Sequence, residues 1–346
     1  MNRSESGKIC FIICWLGKLP GYLLIWLKTC EPNKEYTFLL FTDDSTFYPY
    51  PANVKYIPFS KKVFLARVKE RLEENPSFKE AYRLCDFRPM YGVIFKEELA
   101  GYDYWGYCDI DVVFGRIKDF LPPKEVYQYD AIFNGGHFTI IKNDDRMNYL
   151  FKEKGALFGY KTVMRNDAIF AFDETTGIQK IAKVNKVNAK FGIPYIETES
   201  KFMQLRSRLE QNNPDIQGYY WENGDLVRVK VQDKHLFYQK IAYIHLQKRE
   251  IGILDKNVCT SNRFWVTPKG YAVKQNPGIP QIQEVEPYNP FEGIQELDKQ
   301  ARKYKMMKIK QILKRTPFQI YVRIRQQKAG INSGDGSREE MKWKEL

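Results

Sequence analysis

The chain has 346 residues, of which 43% are hydrophobic and 15% aromatic. That excludes a disordered polypeptide and allows one large core or two moderate ones. Its net charge of +13 is concentrated: eleven Lys/Arg and no acid fall between Lys299 and Lys328, so the remainder, +13 less eleven, is close to neutral.

Six cysteines (Cys10, Cys14, Cys30, Cys85, Cys108, Cys259) form no Cys-x-x-Cys pair and lie mostly in apolar surroundings. This is the pattern of reduced, packed thiols in a cytosolic protein. The run ICFIICWLGKLPGYLLIWL, residues 9 to 27, is long enough to span a bilayer. Gly17, Lys18, Pro20 and Gly21 break its middle, which favours a buried strand from Lys8 to Trp15, a turn, and a helix from Tyr22 to Cys30.

A strand from Thr37 to Thr42 runs into Thr42-Asp43-Asp44-Ser45, and a short strand from Val54 to Phe59 precedes a polar helix beginning near Lys61. Strands alternating with helices predict a mostly parallel sheet with helices on its faces, whose ligands sit beyond the carboxyl ends of the strands. Ser77 to Glu98 reads as a helix kinked at Pro89. Asp86 and Arg88 lie within it, too close in sequence to share a helical face.

YWGYCDIDVVFG, residues 104 to 115, sets two acids into an apolar strand. Extended chain would place Asp109 and Asp111 on one face and Ile110 in the core. Two carboxylates held so close repel each other unless a cation lies between them, and hard oxygen ligands favour Mg²⁺ or Mn²⁺. The other reading is a strand end with two solvated acids.

Ala131 to Lys142 follows as a strand containing Gly135-Gly136-His137, Asn223-Gly224 marks a hairpin, and a last strand runs from Leu236 to Leu246. Five prolines between Pro268 and Pro290 suggest a linker. Beyond it Met306, Ile309, Leu313, Ile320 and Ile324 fall near one face of a helix that restarts at Pro317. The expected division is a catalytic domain at 7–267, a Pro-rich linker at 268–297 and a basic helical tail at 298–346.

Candidates for chemistry are few. His245 closes an apolar strand ahead of Lys248 and Arg249, and either completes a metal site with Asp109 and Asp111 or is a satisfied structural residue. His137 either contacts a substrate hydroxyl or packs. Asp173-Glu174 offers a general base near a metal, or caps the helix that follows. The sequence contains no Gly-x-Gly-x-x-Gly, P-loop, Gly-x-Ser-x-Gly or His-Glu-x-x-His, leaving hydride transfer, P-loop phosphoryl transfer and serine hydrolysis without support.

The order FIICWLGKLP, LLFTDD, YRLCDFRPMYG, YWGYCDIDVVFG, GGHFTIIKN, AFDE and YIHLQKR resembles a family of bacterial capsule and cell-surface polysaccharide glycosyltransferases, over roughly residues 7 to 250. The resemblance implies an α/β, glycosyltransferase A-type Rossmann-like fold with a mostly parallel mixed sheet. It also implies Mn²⁺ or Mg²⁺ held by Asp109, Asp111 and His245, and a nucleotide-sugar donor, UDP-sugar foremost. Trp15, Thr42, Asp43 and Asp44 would border base and ribose, Asp109 the ribose, Asp86 and Arg88 the sugar, and Lys248 the diphosphate, with His137 also on the donor and Asp111, Asp173 and Glu174 at the reacting centre. Cys14-Trp15 stands where the family pattern has Pro-Tyr, and Tyr107 where it has histidine. The implied acceptor is a lipid-linked or polysaccharide glycan. The basic tail would hold the chain on the anionic inner face of the cytoplasmic membrane. A nucleotidyltransferase is the rival enzyme, and a nucleic-acid-binding protein using the tail is the rival class. Nucleic acid is not the expected partner, because the globular part is nearly neutral with its acids clustered.

Overall fold

A computed structural model describes residues 8–247, 249, 251–331 and 343–345. The chain opens with β1 (Ile9–Trp15), β2 (Tyr36–Thr42), β3 (Val54–Pro58) and β4 (Tyr104–Cys108). The first two are almost unbroken apolar runs and largely buried, as parallel strands covered on both faces require. There follow β5 (Val112–Phe114), β6 (Ala131–Phe133), β7 (Phe138–Lys142), β8 (Ala189–Phe191), β9 (Tyr195–Glu197), β10 (Gln217–Glu222), β11 (Asp225–Gln232) and β12 (His235–Ile241). The last are β13 (Tyr243–His245), β14 (Gly252–Ile253), β15 (Arg263–Thr267), β16 (Gly270–Val273) and β17 (Lys344–Glu345).

The main sheet has the order β3-β2-β1-β4-β7-β6-β8. Its first four strands are parallel, β7 runs against both neighbours, and β8 is parallel to β6. The fold is thus mixed α/β, with a mostly parallel sheet flanked by helices. Strand order reverses between β1 and β4, and the crevice at their carboxyl ends is where such a sheet receives a ligand.

The apolar N-terminal run is divided between β1 and the helix α1 (Leu23–Cys30). Trp26 and Leu27 of α1 pack under the main sheet, whereas Ile25 joins a second cluster with Val113, Trp221 and Phe264. A helix apolar all round is thereby buried on two sides. Among the described residues no helix is long and apolar enough to cross a membrane.

The second sheet, β14-β16-β15-β10-β11-β12-β17, is mostly antiparallel. Its β10–β11 turn is the expected Asn223-Gly224, with φ of 51° and 97°, the two positive values that such a hairpin demands. A small third sheet, β5-β13-β9, sits between the other two in sequence connectivity.

Several expected elements divide further. Ser77 to Glu98 is a series of short turns of helix between Ala81 and Ile94, not one helix. Ala131 to Lys142 is the hairpin β6–β7, folded back at the glycines, and Leu236 to Leu246 breaks at Ala242 so that β12 and β13 join different sheets. A linker at 268–297 is not what forms. Thr267 pairs with Gly270 across β15–β16, Val285 is buried with Tyr220 and Trp265, and Tyr288 stacks on Trp265 at 4.7 Å. This proline-rich segment packs its apolar side chains on the second sheet.

The tail forms helices Ile294–Leu313 and Pro317–Ile331, with Pro317 opening the second. The second helix docks on the globular part through buried Val322 and a Gln326 Nε2 bond of 3.2 Å to Ile169 O. The first buries none of its residues and leaves Met306, Ile309 and Leu313 exposed.

Candidate metal centre at the Asp-x-Asp turn

Asp109 and Asp111 do not sit on one continuous strand. The chain leaves the main sheet after Cys108 and enters the third sheet at Val112, so the two acids ride on the bridging turn while Ile110 anchors it in the core. Asp109 N donates to His137 O at 3.1 Å, and Leu246 N donates to Asp111 O at 3.0 Å. The turn is therefore tied to both the glycine hairpin and the end of β13.

His245 closes β13 opposite Val112 and alongside Glu197 of β9. Its Nε2 lies 3.5 Å from Asp109 Oδ2 and 3.4 Å from Asp111 Oδ1. One atom from each of the three residues falls within 4.8 Å of the others. Two carboxylates and an imidazole within one ion's reach are a ligand set for a borderline or hard divalent cation; the nitrogen suits Mn²⁺ better than Mg²⁺, which prefers oxygen throughout.

Arg88 fixes the neighbourhood. Its guanidinium pairs with Asp109, with Asp173 at 3.1 Å, and with Gly136 O at 2.7 Å. Asp173 is buried, and that burial outweighs Arg88 and pushes its carboxyl well above the usual carboxylate range. It does not cap the following helix: Ile178–Val184 has Gly177 at its N-cap and no side-chain cap bond. Gly136 is required because a Cβ there would lie 2.8 Å from Glu174 Cγ and 3.0 Å from Asp173 Oδ2. Glu174 itself is exposed beside this contact.

Other expected residues divide between the rim and the interior. Asp43 Oδ1 accepts from Gly17 N at 2.6 Å and Asp44 Oδ2 from Leu19 N at 2.8 Å, while buried Thr42 accepts from Asp44 N. These bonds hold the β1 and β2 ends together next to Trp15, whose Nε1 donates to Lys18 O. Asp86 differs from expectation: it is fully buried, faces inward, pairs with Arg83 and accepts from Phe170 N and Phe172 N. His137 is also internal, its Nδ1 at 3.1 Å from Tyr243 OH and its Nε2 at 3.0 Å from Glu197, so neither nitrogen is left for a substrate hydroxyl. Lys248 lies outside the described residues.

Sequence reasoning missed Glu197. The residue ends a short apolar run, Tyr195-Ile196-Glu197, in the way His245 ends Tyr243-Ile244-His245, and that likeness of two strand ends was the available signal. An open hollow of about 400 Å³ lies by the amino ends of β1 and β4, near Lys8 and Tyr102. Its one acid, Glu98, is paired with Arg67.

With the geometry in place, a family-level comparison matches residues 11–275 to a family described only as one of unknown function, DUF6625. The chain belongs to that family. The matched span runs from within β1 to just past β16 and holds every candidate ligand of this DUF6625 chain, while both tail helices lie beyond it. No curated protein matches the chain.

Burial alone would push the His245 imidazole down, but Asp111 and Glu197 outweigh it and hold its pKa well above the ordinary 6.5. A group raised in the fold contributes stability that is full below its unfolded pKa and is lost as pH rises through the folded value. The metal-free protein should therefore show a falling thermal midpoint as pH climbs above the ordinary imidazole value of about 6.5. Added Mn²⁺, which takes the neutral imidazole, should reverse the fall; a midpoint flat with pH in metal-free buffer would contradict this.

Proposed function

We propose that this protein is a metal-dependent glycosyltransferase of the A-type fold, taking a sugar from a nucleoside-diphosphate donor, UDP-sugar foremost, for a lipid-linked or polysaccharide acceptor of the cell surface. The observation that carries the reading is the meeting of Asp109, Asp111 and His245 at the carboxyl edge beside the β1/β4 reversal. Parallel strands of reversing order supply a crevice for a nucleotide, and an Asp-x-Asp turn at its mouth supplies ligands for the cation that accompanies a diphosphate.

When bound, Mn²⁺ or Mg²⁺ would neutralise charge developing on the departing diphosphate. The chain's own residues do the rest. Asp109 and Asp111 project from a turn fixed at both ends by backbone bonds, and Arg88 holds Asp109 in place while screening it from Asp173. Asp173, with its raised pKa, is suited to hold a proton at the reacting centre, and exposed Glu174 would take the proton of an acceptor hydroxyl. The test is to incubate the purified protein with a panel of nucleotide-sugars and Mn²⁺: slow release of free sugar from one donor is expected, and release from none contradicts the reading.

The first tail helix suits an anionic bilayer, since it carries Lys305, Lys308 and Lys310, with Lys314 just past its end, among exposed Met306, Ile309 and Leu313 and buries nothing. A cation near such a surface is worth about 1 kcal/mol. Changing the four lysines to glutamine should weaken binding to phosphatidylglycerol vesicles by about two orders of magnitude or more. Unchanged sedimentation with the vesicles would rule the surface out.

A further inference from the structure

We propose that Glu197 is the positioning residue of the metal centre: it takes the hydrogen of His245 Nδ1 and so presents Nε2 to the ion held with Asp109 and Asp111. This rests on the metal-dependent reading above.

The arrangement follows from register. Strands β9 and β13 are parallel with Glu197 opposite His245, which brings Glu197 Oε2 to 3.3 Å from His245 Nδ1. The same oxygen is 3.0 Å from His137 Nε2, and Oε1 accepts from Gln247 Nε2. Three donors converge on one buried carboxylate, so an acceptor-only group is needed there. An imidazole binds metal through the nitrogen that carries no hydrogen, and the partner of the other nitrogen decides which one that is. Holding the hydrogen at Nδ1 leaves Nε2, the atom that faces both aspartates.

His137 makes the clamp rigid from behind. Its Nδ1 meets Tyr243 OH, and that hydroxyl is held by Asn134. His137, Glu197 and His245 could themselves surround an ion. Such an ion would have to break the bonds from His137 and His245 to Glu197 Oε2 and compete with the aspartates for His245, so the orienting role is the one the bonds favour.

The experiment is a Mn²⁺ titration of the full chain, read by the electron paramagnetic resonance of free Mn²⁺, for wild type, Glu197→Gln, His245→Gln and the double variant. The expected result is one ion in the wild type, bound about 10–100-fold more weakly in Glu197→Gln. In the His245→Gln background the Glu197 change should add less than about twofold, because its effect passes through His245. An equal loss in both backgrounds would mean a merely structural role. Two ions in the wild type, falling to one in Glu197→Gln, would make Glu197 a ligand; both results overturn the proposal. Wild-type affinity retained in Glu197→Gln while Asp111→Asn loses it overturns this inference alone, whereas no Mn²⁺ binding by the wild type overturns the metal reading beneath it. Should Glu197→Gln fail to fold, Gln247→Asn removes one half-buried donor from the same carboxylate; it should weaken Mn²⁺ severalfold with His245 present and leave it unchanged in the His245→Gln background. An equal loss in both would again overturn the proposal.

Discussion

Replacing Asp86 by alanine is expected to cost about 3–5 kcal/mol of stability. The residue is wholly buried, as is its partner Arg83, and the guanidinium also donates to the carbonyls of Ala168 and Val163. Deleting the carboxylate leaves a buried cation without its counter-charge and strips Phe170 N and Phe172 N of their acceptor. Those amides precede Asp173, so the loop that carries Asp173 should loosen as well. Urea denaturation would show the loss as a lower midpoint, and a shift worth less than about 1 kcal/mol would contradict the account. The double substitution Arg83→Met with Asp86→Leu should recover much of the loss, because the large cost comes from breaking a buried pair and not from lacking one.

Asp111→Asn is expected to weaken Mn²⁺ by about a hundredfold or more while leaving the fold intact. Two charges and one imidazole make up the candidate set, and removing a charge from so small a set costs most of its attraction for a dication. The fold should survive because the backbone carbonyl of residue 111 still accepts from Leu246 N and an asparagine oxygen can still accept from His245 Nε2. Titration calorimetry would read the metal affinity and thermal unfolding would read the fold. Retained affinity would remove Asp111 from the ligand set, while a collapse of the fold would show that its side chain is needed for structure.

These two aspartates show what the sequence disclosed and what it could not. The strands β1, β2 and β4 are legible because each is a compact apolar run, and Asn223-Gly224 is legible because the turn itself dictates the residues. Sheet membership is not: nothing within Cys108 to Val112 says that the chain changes sheets there, since the partners of β4 and β5 are remote strands. Glu197 escaped notice for the same reason, its histidine lying 48 residues away. Asp86 had a local clue, because Arg83 stands three residues before it, a spacing that shares a helix face, whereas Arg88 stands two after. The segment after Thr267 misled through composition. Its prolines look like a linker, but the apolar partners of Val285 and Tyr288 are on β10 and β15.

The most direct measurement is binding of a panel of nucleotide-sugars to the wild-type protein by titration calorimetry, in Mn²⁺ and again in excess chelator. Saturable binding of one donor in Mn²⁺ that disappears with chelator is the predicted result. Donor binding indifferent to chelator, or no binding of any donor with Mn²⁺ present, would contradict a metal-diphosphate site at the Asp-x-Asp turn.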